Sequence, residues 1–315
     1  MKKKKFNSSS MAAFLVLIVL VIVMSIVSSS FLSANNLMNV MQQITVNAVI
    51  AVGMTIVILT SGIDLSVGSV MAISGFIMGK LMMAGLNGIL AVILGTVIGV
   101  LFGLLNGVLV AKCKLQPMIA TLGTMQIARG ITLTIAQGRT ISGFPQEFRW
   151  FGNGTLLGIP IQVILMLILY ILLFYLLRYR KFGRYIYSIG GNEEATRLSG
   201  VNVTKYKIGA YVISGATAAA AAVITVGKLN SAVPTAGEGY ELDAIASTVI
   251  GGTSLLGGFG SVWGTLMGAM IIGIIKNGLN LMNVSAYVQK VVIGIILLIA
   301  VLVDSFRSEA LNKKK

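Results

Sequence analysis

The chain has 315 residues, 56 % of them apolar and 10 % charged, with a formal net charge of +15 and a mean hydropathy of +0.93. An ordinary soluble domain is about 45–50 % apolar and about 25 % charged, so too little polar surface remains here to coat a globule in water, and an all-α polytopic membrane protein is expected. The absence of histidine and the single cysteine, Cys113, exclude an imidazole base, a Cys/His zinc site and a disulfide framework, and the pattern GxxxxGK(S/T) that cradles nucleotide phosphates is missing, so no metal and no cofactor is expected.

In chain order, Lys2 to Lys5 precede an uncharged run over 11–31. Its apolar core is longer than the roughly 7–15 residues of a secretory h-region and no clear small-residue cleavage site follows, which favours a membrane anchor over a cleaved signal. Further apolar runs lie at 44–61, 66–84, 88–111, 117–136, 159–177, 207–228, 241–257, 261–280 and 287–304, giving about ten transmembrane helices in all. They form one transmembrane domain over 11–304, between basic tails at 1–10 and 305–315. Interrupted or re-entrant helices are expected in the first half of 62–84 and in the glycine-rich 241–260, because backbone breaks are tolerated in a membrane when protein or a water-filled cavity covers them.

Lysine and arginine set the orientation. Of 24 basic residues, 17 fall in four groups: Lys2 to Lys5, Lys112 with Lys114, seven between Arg178 and Lys207, and Arg307 with Lys313 to Lys315. Ten crossings of the plasma membrane with both termini cytoplasmic place all four groups on the cytoplasmic side, and leave Lys80, Arg139, Arg149 and Lys228 outside. The positive charge is therefore a topology signal, and no nucleic-acid partner is expected; the partner implied by the apolar runs is membrane lipid.

Helix four carries Gly95, Gly99, Gly103 and Gly107 at four-residue spacing, a groove for another helix backbone. Helix nine begins with Gly260, Gly264 and Gly268 in the same spacing, and both helices share a G-T-x-x-G start and a later Asn-Gly pair. Either this is an inverted repeat of the kind common in transporters, or it is coincidence among glycine-rich helices.

Asp64 lies between two apolar runs, in Ser61-Gly62-Ile63-Asp64-Leu65-Ser66. A carboxylate at the centre of a span costs about 2.5–3.5 kcal/mol on insertion scales, so it should cap a helix start or face a solute path. Asn47, Asn106, Gln126, Asn277 and Asn280 also lie within spans, where amides serve either as hydrogen-bonding glue between helices or as contacts for a hydroxyl-rich solute. Glu238, Glu241 and Asp243 are expected in an external loop leading into span eight, as a solvated loop, a gate or a docking surface. Arg139 and Arg149, in the external stretch 137–158, are candidates to pair with an external partner.

The largest inward connection, 178–206, holds Asn192-Glu193-Glu194-Ala195-Thr196-Arg197-Leu198-Ser199-Gly200. Asn192 can cap, Glu193 and Glu194 suit the positive helix start, Arg197 suits the last turn, and Gly200 supplies a left-handed terminus. So short a helix is unstable alone in water, and Ala195, Leu198 and Val201 need a surface, either the protein's own membrane face or another protein. With no nucleotide site in the chain, a partner that delivers energy through this helix is the economical reading.

Thr60 to Gly68, Lys114 to Thr124 and Phe182 to Gly200, with Pro234 to Gly237, Gly239 to Ala246 and Gly251 to Ser254, resemble the permease subunits of bacterial ATP-binding-cassette sugar importers over about 40–305. The resemblance implies an all-helical subunit that pairs with a second permease copy, a cytoplasmic ATPase and an extracytoplasmic sugar-binding protein. It also implies that Asn192 to Gly200 is the helix seated in the ATPase, and that the substrate is a pentose or similar monosaccharide. The competing reading is a self-sufficient carrier driven by protons or sodium, which needs an ion site among Asp64, Glu238, Glu241, Asp243 and Asp304. An intramembrane hydrolase lacks any base or metal set.

Overall fold

The computed structural model describes residues 8–312, so Lys2 to Lys5 and Lys313 to Lys315 lie outside the described residues. The helices in chain order are α1 (Ser8–Val27), α2 (Ala34–Leu59), α3 (Val67–Met83), α4 (Gly88–Ala111), α5 (Pro117–Ala136), α6 (Gln146–Asn153), α7 (Ile161–Tyr179), α8 (Lys181–Gly191), α9 (Glu193–Leu198), α10 (Val203–Leu229), α11 (Tyr240–Ile250), α12 (Val262–Leu281) and α13 (Ala286–Asn312). Two-residue strands β1 (Ile141–Ser142) and β4 (Ser231–Ala232) pair antiparallel, as do β2 (Thr155–Leu156) and β3 (Ile159–Pro160).

Each expected apolar run coincides with a helix, and polar residues set the boundaries. Ser33, Asn87, Asn202 and Ser261 cap α2, α4, α10 and α12 by accepting a backbone N–H two or three residues on, and Pro117 opens α5. Among the described residues, six helices, α2, α4, α7, α10, α12 and α13 as far as Phe306, are long and apolar enough to cross a membrane. The chain is thus an all-α polytopic membrane protein. The run 241–257 is shorter as a helix than as a sequence: α11 stops at Ile250, where Gly251, Gly252, Gly257, Gly258 and Gly260 take over. At about 1.5 Å per residue its 11 residues reach about 16 Å, half a bilayer.

α2 is the axis. Every residue from Ala48 to Leu59 is buried, as expected for a helix apolar on all sides. α10 lies beside α2 and along the glycine face of α4, where a Cβ at Gly99, Gly103 or Gly107 would strike the α10 backbone at Gly215, Tyr211 and Ile208. α12 uses the same device on α11: a Cβ at Gly268 would strike the Ser247 carbonyl, and one at Gly264 the Gly251 carbonyl. The packing has a two-part pattern. α4 packs on α3 and α10 while α12 packs on α11 and α2; α3 packs on α10 and α5 while α11 packs on α2 and α13. Around this core, α1, α4, α7 and α13 turn Ile26, Leu101, Leu172 and Leu298 outward, an apolar belt that only lipid or another apolar surface can cover.

The chain breaks helical structure at opposite ends of the bundle. Residues 60–66 separate α2 from α3 at the end shared with α8 and the 251–260 loop, where Ser61 Oγ donates to the Leu256 carbonyl at 2.7 Å and Gly258 N to the Leu59 carbonyl at 3.0 Å. Residues 230–239 separate α10 from α11 at the end shared with α6 and the β1–β4 pair. This second segment does not stay outside the bundle as a loop. It folds back between helices until Gly237 abuts Gly68 in the first turn of α3.

Candidate functional site

The break at 60–66 is organised by Asp64, which is 1 % exposed. Its carboxylate accepts from Ser66 N at 3.1 Å, Ser66 Oγ at 2.6 Å, Ser214 Oγ at 2.8 Å and Asn106 Nδ2 at 3.3 Å. Asn106 also donates to Ser66 Oγ at 2.8 Å and accepts from Thr124 Oγ1 at 2.6 Å, while Thr121 Oγ1 receives Leu65 N at 3.1 Å. Asp64 and Asn106 therefore meet in one dry network that ties α3, α4, α5 and α10 together, filling the acceptor capacity a buried carboxylate must satisfy. Asn277 is also glue: it exchanges amide hydrogen bonds of 3.0 and 3.1 Å with Asn36, joining α12 to α2.

Asn47 and Asn280 lie elsewhere. They line a cavity of about 320 Å³ between α2, α10, α11, α12 and α13, with Gln42, Lys228, Asp243, Lys276 and Gln289 among its polar walls. Asn47 donates to Ser247 Oγ at 2.8 Å and Asn280 accepts from Gln289 Nε2 at 2.7 Å. Asp243 is buried and bonded to the Lys276 ammonium. The volume lies in the range of small-molecule pockets, and amides beside one ion pair suit a neutral, hydroxyl-rich solute. Gln126 is not part of this wall; it is exposed on α5, near Gly123 and Gly130, whose missing Cβ positions face open space.

Glu238 is exposed and Glu241 half-buried around the start of α11. Across from them stands Arg129 of α5, whose Nη1 donates to the Pro234 carbonyl at 2.6 Å and the Ala236 carbonyl at 3.0 Å. Arg129 and Lys276 escaped the sequence reading, although the signal was present in each case: a lone cation inside an apolar run. Arg139 and Arg149 are exposed at the far end, and neither forms an ion pair among the described residues.

At the opposite end, α9 is a six-residue helix as its sequence demands. Asn192 Oδ1 accepts Ala195 N at 2.8 Å, and Gly200 takes φ +81°. Arg197 pairs back to Glu194, and Lys207 reaches Glu193 at 2.9 Å. Only Thr196 is buried; Ala195 is exposed and Leu198 is 79 % exposed. The adjoining α8 is anchored more firmly. Tyr187 donates to the Gly260 carbonyl at 3.0 Å, and burial pushes its phenol up from the ordinary tyrosine value, so it keeps the donated proton.

Comparison with known proteins fits this arrangement. The ribose import permease protein of Escherichia coli (strain K12) is 48 % identical over 283 residues, covering 89 % of this chain and 88 % of its own. The ribose import permease protein of Bacillus subtilis (strain 168) is 49 % identical over 284 residues, covering 90 % and 88 %. The D-allose transport system permease protein of Escherichia coli (strain K12) is 40 % identical over 280 residues, covering 89 % and 86 %. No solved structure gives a significant match. The family described as the permease component of branched-chain amino acid transport systems matches residues 36–301. Its match takes in both helix breaks, the cavity and α9, and the chain belongs to this family of transport permeases.

Proposed function

We propose that the chain is the membrane-spanning subunit of an ATP-binding-cassette importer for a monosaccharide, a pentose such as ribose being the first candidate, driven by a separate ATPase. The observation that carries this reading is α9: a capped, ion-paired helix with Leu198 79 % exposed. The protein's own surface half-covers Val201 but leaves Ala195 and Leu198 exposed, which supports another protein as their cover. Asn192, Glu193, Glu194, Arg197, Leu198 and Gly200 then form the coupling element, seated on the cytoplasmic ATPase. The sugar class rests on the relatives, whose names state ribose and allose.

The remaining parts follow the same reading. The cavity walled by Asn47, Asn280 and Asp243 belongs to the sugar path; Arg139 and Arg149 face an extracytoplasmic sugar-binding protein; ten spans place both termini in the cytoplasm. The matched packing of α3, α4 and α10 with α11, α12 and α2 supports an inverted repeat. Gly123, Gln126 and Gly130 on the open face of α5 suit close approach by a second copy. An ion-coupled carrier is less well supported, because Asp64 is saturated by four donor contacts and Asp243 by Lys276. Proteoliposomes decide between the two: uptake against a ribose gradient should require the ATPase, the binding protein and ATP. Accumulation by the permease alone under a proton or sodium gradient would overturn the proposal.

A further inference from the structure

We propose that Arg129 is a positioning residue, a latch that ties the segment 230–239, and with it the start of α11, to α5. Arg129 is the thirteenth of the 20 residues of α5, about 18 Å along the helix from its start, and its side chain is half-buried. One nitrogen serves two carbonyls, Pro234 and Ala236, in a segment with little regular structure of its own, and Glu238 and Glu241 stand close enough to act electrostatically on the guanidinium. Beyond the latch, Gly237 and Gly239 take φ of +76° and +85°, and α11 begins at Tyr240. Asp243 in the first turn of α11 is then bonded to Lys276 of α12. A continuous mechanical path therefore runs from α5 through Arg129, two positive-φ glycines and α11 to α12, beside the cavity that Tyr240, Asp243 and Lys276 line. The reach of arginine matters, because both bonds come from one terminal nitrogen and an ammonium on a shorter stem falls short of the two carbonyls from the same helix position.

The test uses the whole importer in membranes, in a Cys113→Ser background with Ala236→Cys as reporter and N-ethylmaleimide as probe. In Arg129→Met the reporter should react at least tenfold faster and ribose uptake should fall at least tenfold, at an unchanged amount of permease in the membrane. Arg129→Lys should lie between. The triple variant Arg129→Met, Glu238→Gln, Glu241→Gln removes the charge imbalance without restoring the carbonyl contacts, so its reporter should stay fast. If the triple variant returns to the slow rate, Arg129 only neutralises the glutamates and the latch is refuted; an unchanged rate in Arg129→Met refutes it equally. Should Arg129→Met fail to accumulate, the triple variant decides. The uptake arm rests on the sugar-permease reading but the labelling arm does not, so a wrong substrate leaves the rate difference intact while uptake is absent from every form.

Discussion

Asp64 shows how a carboxylate is tolerated inside an apolar bundle. Four donor contacts from Ser66, Asn106 and Ser214 replace the water it would lose, and removing the acceptor strands those donors in a dry site. Each stranded buried donor costs about 1–3 kcal/mol. Asp64→Ala should therefore lower the thermal unfolding midpoint of the detergent-purified permease by several degrees, and Asp64→Asn, which keeps one acceptor oxygen, by less. Scanning fluorimetry checks this; an Asp64→Ala protein that melts with the wild type would mean the network does not hold the break. The contrast with Asn47 is useful, because its neighbours leave open space. Asn47→Leu should alter uptake at low sugar concentration while moving the melting point little, and a large loss of stability with unchanged uptake would make Asn47 helix glue.

At the scale of elements, two kinds of glycine predict opposite outcomes. Gly268 lies against the Ser247 carbonyl of α11, and Gly123 faces nothing within 4 Å. Overpacking a filled contact costs about 1–3 kcal/mol, so Gly268→Ala should destabilise the purified chain while Gly123→Ala should not; equal melting points would refute backbone contact between α11 and α12. For α9, Leu198→Ala removes an exposed side chain and should leave insertion and folding unchanged. An interface anchor of this kind is worth at least about 1 kcal/mol, so co-purification with the ATPase should drop at least several-fold, and undiminished recovery would sink the coupling role. Much of this was readable in advance: helix positions follow from apolar runs, and α9 from its capping residues. The interruption within 241–260 was legible from its glycines, but the point where α11 stops was not, since Leu255 and Leu256 carry the hydrophobic run past Ile250. Nor was the inward path of 230–239, because its anchors, Arg129 and Gly68, lie more than 100 residues away in sequence and no local pattern links them to it. The same holds for the division of the polar residues. Asn106 and Asn280 look alike in sequence, yet one is buried against Asp64 and the other borders a cavity, and only the tertiary contacts separate them.

For the whole molecule, the distribution of basic residues and the direction of the helices can be tested with one atom. Cys113 is the lone cysteine, exposed just after α4 and flanked by Lys112 and Lys114. Alternation of the helices puts it at the same end as α9: α4 ends there, α5 leaves, α7 returns and α10 leaves again after α9. If α9 meets a cytoplasmic ATPase, Cys113 must also be cytoplasmic, whatever the fate of α1, because α4 to α9 fixes the relation between the two. A membrane-impermeant maleimide should thus label Cys113 in inside-out vesicles and leave it unlabelled in intact cells. Cys113→Ser is the control for background, and a cysteine placed at Leu157, 96 % exposed between β2 and β3, should show the reverse. Labelling of both sites from the same side would break the crossing made by α5. Labelling of Cys113 in intact cells, with Leu157→Cys protected, would invert the molecule and separate α9 from any cytoplasmic motor.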